Sequence, residues 1–323
     1  MHVLDPFGIS GQPSAAFNPL DRLDPHHLDL AEDVAALADA LVYDPPGQTG
    51  DAHWNEEAKA LIAGLILHVV CDEVPARRTL TTVRERLTLA PGAWASLLTR
   101  MSASGSANGL VARAANRQLG KSDREAAGVL SSAQRHTHFL DSPRMTAVLG
   151  RSDFRFEELK ERTCTVFLVL PPDRLNTHAR WLRLMVVQAL NVTVRSPAKP
   201  PSPVLFLLDE FAALGRLEPI ERAFGLMAGY GLQLWVILQD LHQLRSTYGE
   251  RAGTFLSNAG VTQIFNVADV DTASWVSRTI GATTMAYETT GTSVSNTPGK
   301  FSATRGASRS LNLTKRDLMT PDE

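Results

Sequence analysis

An apolar run that ends in two acids constrains the fold of this chain more than any other stretch. Val204 to Leu208 are all apolar, and they follow the helix-breaking residues Lys199 to Pro203. A short continuous apolar run predicts a strand buried on both faces of a parallel sheet. The run stops at Asp209 and Glu210. Because parallel sheets bind ligands at the carboxyl ends of their strands, the pattern predicts a Walker B motif.

The two acids have different expected roles in such a motif. The first acid holds Mg²⁺, directly or through water, and the second orients and deprotonates the attacking water. Asp209 is therefore the candidate Mg²⁺ ligand, and Glu210 is the candidate catalytic base. The alternative is a strand followed by a helix with an acidic N-terminus, which the helix dipole also favours.

A second apolar run follows with a polar end of its own. Leu232 to Leu238 come after Gly229-Tyr230-Gly231, and the run ends in Gln239-Asp240. We expect this strand beside the Walker B strand, where Gln239 could sense the γ-phosphate of a nucleotide. The alternative is an ordinary polar strand end.

Several stretches together resemble the TraG-like coupling proteins of conjugative type IV secretion. Four carry the closest likeness: 204–215, 227–235, 238–241 and 258–261. Shorter matches stand in the family's order over nearly the whole chain: Asp5-Pro6, Asn18-Pro19-Leu20-Asp21, Trp54-Asn55, Ser152-Asp153-Phe154, Leu170-Pro171-Pro172-Asp173 and Trp181-Leu182-Arg183-Leu184.

The resemblance implies a hexameric, membrane-anchored ATPase at the cytoplasmic face of the bacterial inner membrane. Such a protein uses ATP and Mg²⁺. It recruits a relaxase–DNA complex, with its single-stranded DNA, to the proteins of the secretion channel. Arg222 and Arg316 are candidates for an arginine finger that acts across subunits, although either could be an ordinary surface arginine.

The predicted fold is α/β, an incomplete RecA-like P-loop NTPase sheet with an inserted all-α domain. We expect residues 1–27 to begin the truncated NTPase domain, 28–150 to form the helical insertion, and 151–323 to form the Walker B half. The expected elements of that half are strands at 163–170 and 261–267, a helix at 181–194 and a flexible loop at 288–312. Asp51, Ser122 and Asp269 are predicted helix N-caps.

A Walker A motif is missing from the sequence. Gly120-Lys121-Ser122 is the single Gly-Lys-Ser/Thr, but Ala115 stands where the motif requires glycine, and a helix-like stretch precedes it. The membrane anchor of the family is also missing. The apolar stretch Ala60 to Cys71 is too short to cross a bilayer. We therefore expect a fragment, a truncated product or part of a split protein, inactive as an ATPase when alone and soluble in the cytoplasm.

Charge is distributed unevenly along the chain. Residues 1–50 hold eight acids and one base, whereas Arg77 to Arg135 hold ten bases and three acids. Such asymmetry can mark a phosphate-facing surface, and the candidate DNA contacts are Arg113, Arg117, Lys121 and Arg124. The alternative is a solvated face, or one that pairs with the acidic segment. The net charge of −2 excludes a wholly basic nucleic-acid binder.

Other functions remain open at this stage. One is a DNA-pumping ATPase of the FtsK or HerA type, although the Asn-Pro-Leu-Asp and Gly-Tyr-Gly-Leu-Gln stretches speak against it. Another is a nucleotide-free docking module that works through its basic helices. The two cysteines, Cys71 and Cys164, lie in apolar runs, so we expect buried free thiols in a reducing compartment.

Overall fold

The computed structural model of the chain describes residues 1–44, 52–200, 202–267, 269–296 and 303–320. Two compact units result: Met1–Leu238 with Leu244–Ala259, and Gln239–Gln243 with Gly260–Glu323. The predicted N-cap Asp51 lies outside the described residues. Within them, no helix is both long and apolar enough to cross a membrane.

The first unit begins with a short strand and a long helical segment. Strand β1 (His2–Leu4) pairs in parallel with β2 (Val166–Leu168), which is shorter than the predicted strand at 163–170. Most of the described chain from Leu30 to Leu149 is helical, in the region where the sequence predicts helices. These helices are α1 (Leu30–Leu41), α2 (Ala52–Asp72), α3 (Leu80–Leu87), α4 (Pro91–Ser102), α5 (Leu110–Leu119), α6 (Asp123–Thr137) and α7 (Pro143–Leu149).

Local capping explains where several of these helices begin. The predicted N-cap Ser122 is confirmed, because its hydroxyl accepts the Glu125 N–H at the start of α6. Thr79 caps α3 in the same way through the Thr82 N–H. Pro91 and Pro143 occupy the first turns of α4 and α7, where proline is tolerated because that N–H has no helical partner.

The rest of the first unit alternates strands and helices. The elements are α8 (Glu158–Glu161), α9 (Leu175–Arg195), β3 (Val204–Leu208), α10 (Glu218–Leu226), β4 (Leu232–Val236), α11 (Leu241–Tyr248, which begins in the second unit) and α12 (Ala252–Asn258). Short 3-10 turns lie between some of them, including Phe211–Leu214. This alternation confirms the α/β class. Helix α9 contains the predicted helix at 181–194 and extends it at the N-terminal end.

Strand β3 confirms the bounds predicted from the apolar run. It pairs in parallel with β4, in register from Val204 opposite Leu232 to Leu208 opposite Val236. The prediction that both faces of β3 are buried was wrong, because Leu205 and Leu207 are each about half exposed. The other face of the strand, with Val204, Phe206 and Leu208, is buried in the core.

The second unit contains α13 (Val270–Ile280) and an antiparallel pair of strands. Asp269 caps α13 as predicted, because its carboxylate accepts the Thr272 N–H at 2.8 Å. The predicted strand at 261–267 was wrong. These residues form no strand, and Val261 and Phe265 are about four-fifths exposed. Within the described residues they pair with no strand. An isolated strand would leave its backbone groups unbonded.

The predicted loop at 288–312 was also wrong at 288–296 and 303–312, and the rest of the prediction lies outside the described residues. Strands β5 (Ala282–Asn296) and β6 (Ala303–Asp317) form an antiparallel pair in which Ala282 is opposite Asp317. The many threonines favour strand geometry. The stretch lacks apolar alternation because nearly all side chains whose burial is described, at 282–292 and 307–317, are exposed. Hydrophobic periodicity, on which the prediction depended, therefore gave no signal.

Candidate functional site

The two acids of the candidate Walker B motif lie at the carboxyl end of the β3–β4 pair. The Ile237 N–H donates to the Leu208 carbonyl at 3.0 Å, and the Phe211 N–H donates to the Ile237 carbonyl at 3.2 Å. These bonds tie the chain on both sides of Asp209 and Glu210 to the end of β4. Both acids are exposed. The arrangement presents two carboxylates to solvent at the edge where parallel sheets bind ligands.

Glu210 has an unusual backbone conformation. Its φ of 50° and ψ of 45° are left-handed, a conformation that costs energy for a residue with a side chain. Its N–H donates to the Asp209 carboxylate at 3.1 Å, and its carbonyl accepts the Ala213 N–H at 2.8 Å. These bonds turn the chain sharply after the strand.

Phe211 anchors this turn in the core. It is buried and stacks on Tyr248, with ring centroids 5.8 Å apart, and it also contacts Phe255. The Tyr248 hydroxyl accepts the Leu217 N–H at 3.3 Å, and burial raises the pKa of Tyr248 to about 12. The segment that follows the two acids runs from Phe211 to Leu217. The aromatic cluster holds both ends of this segment.

Arg183 of α9 holds the same segment from another side. Its guanidinium donates to the carbonyls of Leu214, Arg216 (2.9 Å) and Ala40 (3.3 Å), and it lies 3.8 Å from the centroid of the Tyr43 ring. Burial lowers the pKa of Arg183 to about 10. No carboxylate of the described residues forms an ion pair with it. The backbone carbonyls and the ring therefore compensate its charge.

Gln239 belongs to the second unit and follows β4 in sequence. Its side chain is exposed, and its N–H donates to the Gln243 side-chain oxygen at 3.1 Å. The Asp240 carboxylate accepts the Gln243 N–H at 2.8 Å. These bonds form the start of α11, which begins two residues after Gln239, and no described residue bonds the Gln239 side-chain amide.

The two candidate arginine fingers differ in their surroundings. Arg222 on α10 is exposed and forms an ion pair with Glu218 at 3.0 Å. Arg316 on β6 is exposed, and its guanidinium lies 3.7 Å from the Met285 sulfur. No acid of the described chain pairs with Arg316. It could therefore reach a neighbouring molecule without first breaking an ion pair.

The candidate DNA contacts also divide into paired and unpaired groups. Arg117 and Lys121 both bind Glu57, and the hydrogen bond from Arg117 is the main reason why the pKa of Glu57 is lowered to about 2. Arg113 and Arg124 are exposed and have no ion pair in the described part of the chain. Other bases of the region pair with nearby acids: Arg77, Arg84, Arg86 and Arg135. Much of the positive charge is thus neutralised locally.

Gly120-Lys121-Ser122 is not a phosphate loop. Gly120 ends α5 and Ser122 begins α6, so no strand precedes the sequence. The ammonium of Lys121 lies 2.8 Å from Glu57 and 2.6 Å from Glu125. A phosphate-binding lysine follows a strand and points into a loop of backbone N–H groups. The decision against a Walker A motif at this position is confirmed.

Family comparisons give the geometry a context. The model of the type IV secretory system conjugative DNA transfer family matches residues 1–323. The chain belongs to this family. The conjugal transfer protein TraG of Escherichia coli is 31% identical over 97% of this chain and 52% of its own length. The chain thus spans about half the length of this conjugative relative. The match favours the conjugative group over the FtsK or HerA alternative.

Solved structures of conjugative coupling proteins share the fold of this chain. The bacterial conjugative coupling protein TrwBdeltaN70 in its unbound form has a TM-score of 0.67 and 18% identity, over 99% of this chain and 67% of its own. The plasmid coupling protein TrwB in complex with ADP and Mg²⁺ has a TM-score of 0.64 and 17% identity, over 87% and 63%. The likeness supports the RecA-like fold of the conjugative family.

Proposed function

We propose that this chain carries the Walker B half of a conjugative coupling ATPase. The observation that carries the proposal is the pair Asp209 and Glu210 at the carboxyl end of two parallel strands in register. The chain's membership of the conjugative DNA transfer family supports the same function. The nucleotide would be ATP, bound with Mg²⁺ across this edge of the sheet.

The acids fit a magnesium ion by their chemistry. Mg²⁺ prefers hard oxygen ligands, keeps several waters and usually takes one or two carboxylates together with substrate phosphates. Asp209 offers an exposed carboxylate at the end of β3 and would hold the ion. Bound Mg²⁺ supplies neutralisation of the phosphate charge. Glu210 would orient the attacking water and take its proton. Gln239 stays the candidate γ-phosphate sensor that the sequence predicts.

The remaining roles in the proposal concern neighbouring molecules. In a homo-hexamer, Arg316 or Arg222 would reach the nucleotide of the next subunit, and the unpaired state of Arg316 favours it. Arg113 and Arg124, with Arg117 and Lys121 beside them, would contact single-stranded DNA through its phosphates. The assembled protein would link a relaxase–DNA complex to the secretion channel at the cytoplasmic face of the bacterial inner membrane.

Substitution of Glu210 tests the central role. The variants are made in a chimaera in which residues 1–323 replace the matching half of Escherichia coli TraG. Glu210→Gln should keep ATP binding but slow hydrolysis by about 10²–10⁴-fold, because loss of a general base removes proton transfer. Asp209→Asn should also weaken Mg²⁺-dependent binding. Glu250→Gln is the matched control, since Glu250 is an exposed acid away from β3. Near-normal hydrolysis by Glu210→Gln would remove Glu210 from the role.

A further inference from the structure

Three side chains of different chemistry meet at the amino ends of β1 and β2. They are His2 on β1, Glu158 at the start of α8, and Cys164 just before β2. One potential ligand atom from each, an imidazole nitrogen, a carboxylate oxygen and the sulfur, lies within 4.8 Å of the other two. This group is separate from the Walker B acids, which lie at the carboxyl end of β3.

The backbone fixes the position of His2 in this group. Its N–H donates to the Thr165 carbonyl at 2.9 Å, so His2 is held beside the residue that follows Cys164. The imidazole stacks on Phe154, with ring centroids 4.7 Å apart and planes 19° from parallel. The stacking leaves Nε2 at 3.8 Å from the Glu158 carboxylate.

That nitrogen has no hydrogen-bond partner. Nε2 of His2 is buried and unbonded in the described part of the chain, and 3.8 Å to Glu158 is too long for a hydrogen bond. Native structures rarely leave a buried polar atom unsatisfied, and an ion is one explanation for such an atom. The Cys164 thiol, which is not in a disulfide, is close enough to complete a ligand set.

We propose that His2, Glu158 and Cys164 bind one zinc ion. Zinc accepts nitrogen, oxygen and sulfur ligands together, and a site with three protein ligands leaves the fourth position to water. Bond lengths of about 2.0–2.3 Å put tetrahedral ligand atoms about 3.5 Å apart, so the group must contract by about 1 Å at its widest. Binding releases the Cys164 proton to solvent, and thiolate and carboxylate then balance the charge of the ion.

Two arginines contact the Glu158 carboxylate. Its other oxygen accepts the Arg155 N–H at 3.1 Å, which orients the group as second-shell bonds do in metal sites. Arg162 forms an ion pair with the oxygen that faces His2, and about half of its side chain is exposed. Arg162 can therefore turn into solvent when the ion binds. Because guanidinium and metal compete for one oxygen, loss of Arg162 should strengthen binding.

The site would join the starts of two parallel strands to α8. Its ligands come from sequence positions too far apart for a spacing motif. An ion bound to the folded state and not to the unfolded chain stabilises the fold by mass action. The proposal does not depend on nucleotide hydrolysis.

Cobalt(II) titration of the purified chain tests the site. Co²⁺ replaces zinc and gives visible bands in a tetrahedral site, with a near-ultraviolet thiolate band when cysteine binds it. We expect both to saturate at one equivalent and to disappear when Zn²⁺ is added. His2→Gln and Glu158→Gln should weaken affinity tenfold or more, and Arg162→Gln should raise it.

The two cysteines supply a matched control. Cys164→Ser should abolish the thiolate band, while Cys71→Ser should leave it unchanged, since Cys71 lies in α2 away from the group. Circular dichroism without metal checks that each variant is folded. The proposal is overturned if folded wild-type chain shows no thiolate band, if the band survives in Cys164→Ser, or if both cysteine variants lose it equally.

Discussion

The guanidinium of Arg183 lies 3.8 Å from the centre of the Tyr43 ring and bonds the carbonyls on both sides of Gly215. Helix α9 thereby fixes the segment that follows Asp209 and Glu210 against Tyr43, two residues after the end of α1. The stacked pair also leaves little room at Gly215, whose φ is 62°. Because Phe211 holds the other end of the segment, the position of Glu210 depends on contacts made several residues away.

Gly215→Ala is expected to destabilise the first unit by about 1–3 kcal/mol. A Cβ at this position would lie 2.9 Å from the Tyr43 ring, and the left-handed φ is strained for alanine. Gly253→Ala in α12 is the control, since nothing lies within 4 Å of its Cβ position. Urea denaturation measures both changes. If both substitutions change the free energy of unfolding equally, the contact with the Tyr43 ring does not destabilise Gly215→Ala.

The pH dependence of stability is expected to contain a clear contribution from His136. Burial, with Arg180 and Arg135 nearby, lowers the pKa of His136 to about 3. Nε2–H can donate to the Asn55 side-chain oxygen at 2.9 Å, and Nδ1 can accept from Arg180 at 3.3 Å, which suits the neutral ring.

The sign follows from proton binding. Between pH 3 and about 6.5 the unfolded chain binds a proton at this histidine and the folded chain does not, so stability falls as the pH falls. From pH 7 to pH 4.5 the loss from this group is about 2.5 kcal/mol. His136→Gln should flatten the dependence, and His26→Gln, at an exposed histidine, should not. Equal slopes for wild type and His136→Gln in urea titrations would contradict the assignment.

DNA binding by the basic helices is expected to depend on the unpaired arginines. Charge reversal at Arg113 and Arg124 should lower affinity for single-stranded DNA and reduce the salt slope by about 1.4, for two lost phosphate contacts. Charge reversal at Arg113 and Arg117, which share a helix face, would be a poorer test. Arg117→Glu would place a second carboxylate beside Glu57.

Arg278→Glu gives the matched control for that experiment. Arg278 is exposed on α13, in the second unit, and bonds only the Ser274 carbonyl of its own helix within the described residues. Fluorescence anisotropy at several salt concentrations measures both variants. If reversal at Arg113 and Arg124 leaves affinity unchanged at low salt, the basic cluster is a solvated and internally paired surface.

The local sequence pattern was enough to locate the strand that precedes the two acids. It was not enough to find the residues that hold the acids in place. Val204 to Leu208 and the Asp269 cap were predicted because the signal lies within a few neighbouring residues. Arg183 was missed, since its role requires carbonyls from α1 and from the segment after β3. A charged residue on an otherwise apolar helical face was the available signal.

Other features that depend on residues far apart in the sequence were also hard to predict. Nearly all side chains of the β5–β6 pair whose burial is described are exposed, so the pair shows no apolar alternation. The group of His2, Glu158 and Cys164 forms only when β1 and β2 pair. Exposure of Leu205 and Leu207 could not be read from an apolar run, because the run alone does not say which faces other elements cover.

The chain alone is expected to bind Mg²⁺–ATP weakly and to show no DNA-stimulated hydrolysis. Mg²⁺ is seldom held by carboxylates alone, so Asp209 needs phosphates positioned by a loop of backbone N–H groups. Gly120-Lys121-Ser122 cannot supply that loop, because Lys121 is engaged by Glu57 and Glu125 between two helices. Calorimetric titration of residues 1–323 with ATP, with and without Mg²⁺, measures the affinity. Lys121→Met is the control. It should leave the ATP affinity unchanged if Gly120-Lys121-Ser122 binds no phosphate. Micromolar Mg²⁺-dependent affinity that Asp209→Asn abolishes would show a phosphate site built from other residues of this chain.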